Sequence, residues 1–229
     1  MSLPRSRLQG IEAAKEQLLL FAGLIASADQ TVRFWDAATG KAIGEPMKLD
    51  GKVNSAEFSP DGQRLLTASA DKTARLWDAA TGKAIGAPMK HEGDVGSAMF
   101  SSNGQWVVTA SADGTARVWD AATGVAIGEP MKHDGKVNSA QFSLDSQRVA
   151  TASADKTARL WDAATGKAIC APIKHDDEVV SARFSPDGQR IVTVSWNSAR
   201  VWDVAKVSGA KTAQGSRFFA RFTKDPESK

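Results

Sequence analysis

At 229 residues the chain is long enough for one large domain or two small ones. Its 42% hydrophobic and 24% charged content is that of an ordinary soluble globular protein. No apolar run reaches the ~18–20 residues that cross a bilayer as a helix, and the single cysteine, Cys170, rules out an internal disulfide framework. The formal charge of +3 is uneven: residues 204–229 hold six Lys or Arg against Asp225 and Glu227, leaving the rest at about −1. Nucleic-acid readers concentrate a basic patch; only the tail offers one here, and a solvated basic terminus is its simpler explanation.

In chain order, Ile11 to Leu20 is rich in helix formers. Residues 1–23 therefore read as either a degenerate first blade or a short helix. Leu18 to Ala26 is apolar and runs into Ala26-Ser27-Ala28, which has the look of a cleavage site. Glu12 and Glu16 in the preceding segment oppose a secretory signal, and "ASAD" recurs at Ala68-Ser69-Ala70-Asp71. A cytoplasmic protein with no membrane attachment is the expectation.

From residue 24 the chain repeats. Trp-Asp occurs at Trp35, Trp77, Trp119, Trp161 and Trp202, in steps of 42, 42, 42 and 41 residues. A period of about 40–45 residues ending in Trp-Asp is the signature of a β-propeller blade. Each unit reads as four short strands. Val53 to Phe58 alternates in polarity, Ser59-Pro60-Asp61-Gly62 turns, Leu65 to Ser69 and Thr73 to Trp77 follow, and Lys83 to Met89 ends the unit. So small a sheet cannot bury both faces alone, and neighbouring copies must stack.

Residues 24–203 resemble the WD-repeat family, in its bacterial type with near-identical copies: "SADKTARLWDAATGKAIGAPMKH" and "SADGTARVWDAATGVAIGEPMKH" differ at few positions. The resemblance implies an all-β propeller of about five four-stranded blades, each pinned by a hydrogen-bonded tetrad. The matching residues are His91, Ser111, Asp113 and Trp119, then His133, Ser153, Asp155 and Trp161. An imidazole between a carboxylate and a hydroxyl satisfies polar groups that a blade would otherwise bury unpaired. Leu49 stands where the Trp77 blade should have His, and Asn197 where the Trp202 blade should have Asp. Those two blades are expected to be less tightly pinned. Propellers typically have four to eight blades, but the resemblance implies a ring of most often seven, so five Trp-Asp marks favour an incomplete ring or one completed by an oligomer. Val204 to Lys229 departs from the repeat and reads as an irregular basic tail, with Phe218 and Phe222 spaced one helical turn apart.

The motifs offer no active site, cofactor or metal centre. His91, His133 and His175 sit one per blade, too far apart to share an ion at the ~2 Å ligand distance. Gly40-Lys41, Gly82-Lys83 and Gly166-Lys167 lack the second Gly and the following Ser or Thr of a phosphate loop. Cys170 takes the place of Gly44, Gly86 and Gly128 without a catalytic partner.

By the resemblance, partners dock on the face that carries the loops between blades. The candidate residues are Asp50, Lys52, Glu92, Asp94, Asp134, Lys136, Asp176 and Glu178, together with Trp196 at Ala70's position. Six acids against two Lys suggest a basic partner segment. Trp106, at a strand position, is expected in the core. The leading expectation is therefore a non-catalytic protein-interaction scaffold or a regulatory or sensor module. One alternative is a fragment of a larger signalling ATPase or kinase. The last-ranked is an enzyme with its site in a central channel lined by Asn54, Ser55, Glu57, Asn138, Gln141 and Arg183.

Overall fold

The structure, a computed structural model, describes residues 22–26, 30–36, 39–209 and 220–221. Five antiparallel sheets follow one another along the chain. The first has three described strands, β1 (Ala22–Ala26), β2 (Thr31–Asp36) and β3 (Ala42–Lys48). The second comprises β4 (Val53–Phe58), β5 (Arg64–Ser69), β6 (Thr73–Asp78) and β7 (Ala84–Lys90). The third repeats it with β8 (Val95–Phe100), β9 (Trp106–Ser111), β10 (Thr115–Asp120) and β11 (Ala126–Lys132). The fourth has β12 (Val137–Phe142), β13 (Arg148–Ser153), β14 (Thr157–Asp162) and a short β15 (Ile173–Lys174). The fifth has β16 (Val179–Phe184), β17 (Arg190–Ser195) and β18 (Ser198–Asp203), with β19 (Ala220–Arg221) as its fourth strand.

Strand alternation gives every sheet two apolar faces, and these make the core. In the second sheet Leu66, Ala68, Ala74, Leu76 and Met89 point forward. They meet Val95, Ala98, Phe100, Val107 and Trp119 of the third. The same junction recurs between the third and fourth sheets and between the fourth and fifth. Trp106 lies in one of these cores, its ring centroid 6.4 Å from that of Phe142. The inner strands pack on each other in sequence, but among the described residues the first and last sheets make no extended contact, so the sheets are not closed into a ring. At about 0.8 kcal/mol per buried CH2, each junction is a major source of stability. It also explains why a single blade would not stand alone.

Two departures from the sequence expectation have local causes. The outer strands β7 and β11 contain Gly86 and Gly128 at φ of 68° and 67°, where the ladder shifts register. A side chain at Gly128 would also run into the Ala164–Thr165 backbone. Cys170 occupies the equivalent place in the fourth sheet. A side chain there disfavours the left-handed turn, and the strand shrinks to the two residues of β15, preceded by a lone Trp161–Ala168 bridge. The tail, expected to be irregular, instead opens with a short helix, α1 (Val204–Gly209), and returns a strand in β19. Asp203 caps α1 by accepting the Lys206 N–H at 3.1 Å, and Val204 and Val207 are buried against Trp202. Residues 1–21, Phe218 and Phe222 lie outside the described residues. No helix among the described residues is long and apolar enough to cross a membrane.

Candidate partner-binding face

Two of the loops on the candidate face, those after His91 and His133, rest on a complete buried polar chain. In the third sheet His91 Nδ1 lies 2.9 Å from Asp113 Oδ2, and His91 Nε2 lies 2.7 Å from Thr109 Oγ1. The Trp119 indole N–H donates to the same Thr109 oxygen at 2.9 Å. The fourth sheet repeats the set with His133, Asp155, Thr151 and Trp161, at 2.8, 2.7 and 2.8 Å. A carboxylate accepts only, so Nδ1 carries the proton and Nε2 accepts from the threonine hydroxyl. Burial pushes the His91 and His133 pKa values down, against the pull of their aspartates, and so favours the neutral ring in both.

Burial opposes ionisation of Asp113 and Asp155 as well, but donors outweigh it. Threonine hydroxyls, histidine N–H groups and backbone amides bring both carboxyls down to about 2. The backbone N–H of Glu92 is 3.0 Å from Asp113, and that of Asp134 is 3.1 Å from Asp155. The tetrad thus holds the candidate binding loops directly.

The hydroxyl in the chain is not that of Ser111 or Ser153, as the sequence suggested. Thr109 stands opposite Arg117 in the ladder, which makes it the diagonal neighbour of Trp119 on the same face. Ser111 lies two residues further towards the strand end. There it donates to Gly93 O at 3.0 Å and accepts the Asp113 N–H at 3.1 Å, and Ser153 does the same for Gly135 and Asp155. The signal was present in the sequence: a Thr stands ten residues before Trp77, Trp119 and Trp161, and nine before Trp202.

The two irregular blades differ as their residues require. Leu49 is buried in the apolar core beside Trp77, whose indole still donates to Thr67 at 2.9 Å. In the last sheet His175 Nε2 meets Thr193 at 2.9 Å, yet its buried Nδ1 has no partner. Asn197 turns away to Asp177 at 3.4 Å. Burial and the nearby Arg200 push the His175 pKa down to about 4.

Asp50, Lys52, Glu92, Asp94, Asp134, Lys136 and Asp176 are exposed on these loops, and Glu178 is half-buried. The face is less acidic than the loops alone suggested. Arg75 reaches Asp50 at 3.1 Å and Arg200 reaches Asp176 at 2.8 Å, both from third strands of their sheets. Glu178 accepts from Asn138 at 2.8 Å and from the Trp196 indole at 3.5 Å. Trp196 itself is 68% exposed, the largest aromatic surface among the described residues.

Five of the six channel-side residues proposed for an enzyme are bound up in the blade junctions, and the sixth, Arg183, is exposed. Asn54 donates to Val95 O and Asn138 to Val179 O, both at 2.9 Å. Ser55 accepts the Ala98 N–H at 3.3 Å, and Gln141 accepts the Phe184 N–H at 3.3 Å. Burial raises the Glu57 pKa, partly offset by the Phe100 N–H that it accepts. These five groups join neighbouring blades. Among the described residues no His, Cys, Asp or Glu cluster could hold a metal ion.

Comparison with known proteins agrees with this geometry. No curated protein matches the chain. Among solved structures, the computationally designed Ika8 protein superposes with a TM-score of 0.71 at 24% identity, covering 79% of this chain and 55% of that one. The likeness is one of fold, and the chain spans little more than half of that protein's length. The WD40 model, described as WD domain, G-beta repeat, matches residues 45–78, 83–120, 127–162 and 168–203. Each match takes the outer strand of one sheet and three strands of the next, so the sequence repeat staples neighbouring blades together. With more than half of its length matched, the chain belongs to the WD domain, G-beta repeat family.

Proposed function

We propose that the chain is a non-catalytic interaction module that captures a basic segment of a partner protein on its loop face. WD repeats are in general protein-interaction scaffolds, which leaves the site and the partner to be argued. The observation that carries the reading is the mounting of Glu92 and Asp134. Both side chains are exposed, while their backbone N–H groups are held by the tetrad aspartates. Charges on a rigid, pre-organised frame lose little freedom on binding. Asp94 adds to them, and Trp196 supplies a large aromatic surface of the kind that dominates interface energy. Lys52 and Lys136 set a charge pattern that a partner must match with acids of its own.

A regulatory or sensor role within a larger cytoplasmic signalling protein, such as an ATPase or kinase, fits a partial propeller and is part of this proposal. The binding claim is tested with a fluorescent Lys- and Arg-rich peptide followed by anisotropy. The double variant Glu92→Lys, Asp134→Lys should weaken binding about tenfold or more, with binding falling as salt rises. Unchanged affinity would remove this face from the account.

A further inference from the structure

The turns that join the first two strands of each blade lie at the opposite end of the sheets from the loop face, and two of their junctions are sealed. Between the second and third sheets Arg64 reaches across. Its Nη2 donates to Gly104 O at 2.7 Å and its Nη1 to Ala121 O at 3.4 Å, with the guanidinium 5.3 Å from the centre of the Phe100 ring. Between the third and fourth sheets Trp106 stands in Arg64's place beside Phe142, and the Ser102 hydroxyl donates to Leu144 O at 2.6 Å.

Between the fourth and fifth sheets neither seal is made. Arg148 repeats Arg64 and lies over Phe184 at 5.7 Å. Its guanidinium nevertheless makes no hydrogen bond among the described residues, and the acid beside it, Asp145, is 3.6 Å away. Two substitutions account for this. Val204 takes the place of Ala121, its N–H bonded to Gln189 O as that of Ala121 is to Gln105 O. Val204 also opens α1, whose backbone ladder uses its carbonyl. Leu144 takes the place of Ser102, has no hydroxyl to donate, and is 66% exposed. The result is a cavity of about 280 Å³ lined by Ser143, Leu144, Asp145, Arg148, Pro186 and Asp187. At ~30 Å³ for each water-sized group, that is room for about nine heavy atoms.

We propose that this cavity binds a free apolar amino acid of about leucine size. Its α-carboxylate meets the Arg148 guanidinium, its α-ammonium meets Asp187, and its side chain covers Leu144 and Pro186. A carboxylate offers the two acceptor oxygens that Arg64 finds in Gly104 and Ala121, in a geometry that suits a guanidinium. Charge supports the zwitterion. The Ser143 and Ser185 hydroxyls, with the backbone amides of Gln147 and Gln189, hold the Asp145 and Asp187 carboxyls below the usual range, so both are anions. Arg190 lies close enough to Asp187 to act on it. Two cations and two anions thus surround the cavity, and a lone charge of either sign would meet a repulsive neighbour. A zwitterion answers both signs, while the exposed Leu144 answers its apolar side chain.

Isothermal titration calorimetry of the full chain with L-leucine tests this, and one saturable site per chain is expected. Arg148→Gln should weaken binding about tenfold or more, since it removes a charged hydrogen-bonding partner. Leu144→Ser, at an exposed turn position, should weaken it without lowering the melting temperature, which keeps the test independent of folding. N-acetyl-leucine lacks the ammonium and leucinamide lacks the carboxylate, so each should bind about tenfold more weakly or worse. No heat of binding up to about 20 mM leucine, a free energy of only about −2 kcal/mol, would overturn the proposal. So would binding indifferent to Arg148→Gln or to Leu144→Ser. Leucinamide binding as well as leucine would also overturn it, and would assign the cavity to the N-terminus of a partner peptide. The site lies at the far end of the sheets from Glu92 and Asp134, so peptide capture there and leucine binding here can fail separately.

Discussion

The fourth and fifth sheets follow the same blade pattern, but they differ in sequence and sit in different surroundings. In the fourth, His133 is joined to Asp155 and Thr151, and Ala150, Ala152, Ala158 and Leu160 are sealed by the next sheet. In the fifth, His175 keeps Thr193 and lacks the carboxylate, and the forward valines meet no following blade. Equivalent strand positions therefore have a different energetic value according to their place in the stack. A blade is completed by its neighbour as much as by its own residues.

Truncation should break this symmetry most strongly. Leu160→Ala removes a side chain that is 1% exposed and should cost about 2–5 kcal/mol, read from denaturant melts. Val201→Ala, at the corresponding site of the last sheet, should cost well under half of that. Equal losses would mean that the last sheet is sealed by something after all.

The polar chains should separate next. His133→Ala strips Asp155 of a partner and leaves buried groups unpaired, for about 1–3 kcal/mol. His175→Ala gives up one hydrogen bond and an imidazole nitrogen that was already orphaned, so its cost should be smaller.

Acid sharpens the same contrast. His175 has a folded pKa of about 4, below the ~6.5 of an unfolded histidine. The unfolded chain therefore binds the proton first, and stability falls as the pH drops from about 6.5 towards 4. His175→Gln should flatten part of that fall in melting temperature. Asp113 and Asp155, at about 2, contribute above pH ~4 and lose that contribution as the pH falls through 2. The smallest effect is local. Cys170→Gly should lengthen β15, seen as slower amide exchange over residues 168–172, and unchanged exchange would detach the short strand from the missing glycine.

The period, the four strands and the Trp-Asp ends were legible in the sequence because they depend on local alternation and turn chemistry. The histidine and aspartate of each tetrad were legible through the family pattern. Thr109 and Thr151 were not, because choosing them over Ser111 and Ser153 needs the register between two strands. Arg75 and Arg200 were missed for a similar reason: they reach the loop acids from strands 24–25 residues away. Ala220–Arg221 could not be foreseen as a strand from its own residues, since its partner β18 supplies the ladder. Exposure of the last forward face depends on which blade follows, a fact that no single repeat contains.

The central claim is that the last sheet is an open, incompletely wired copy of the blades before it. Native-state hydrogen exchange, at a dilution where the chain is monomeric, tests it most directly by comparing Thr151 with Thr193 and Ala158 with Ala199. The account predicts exchange at least tenfold faster for the two residues of the last sheet. Equal protection in both sheets would contradict it.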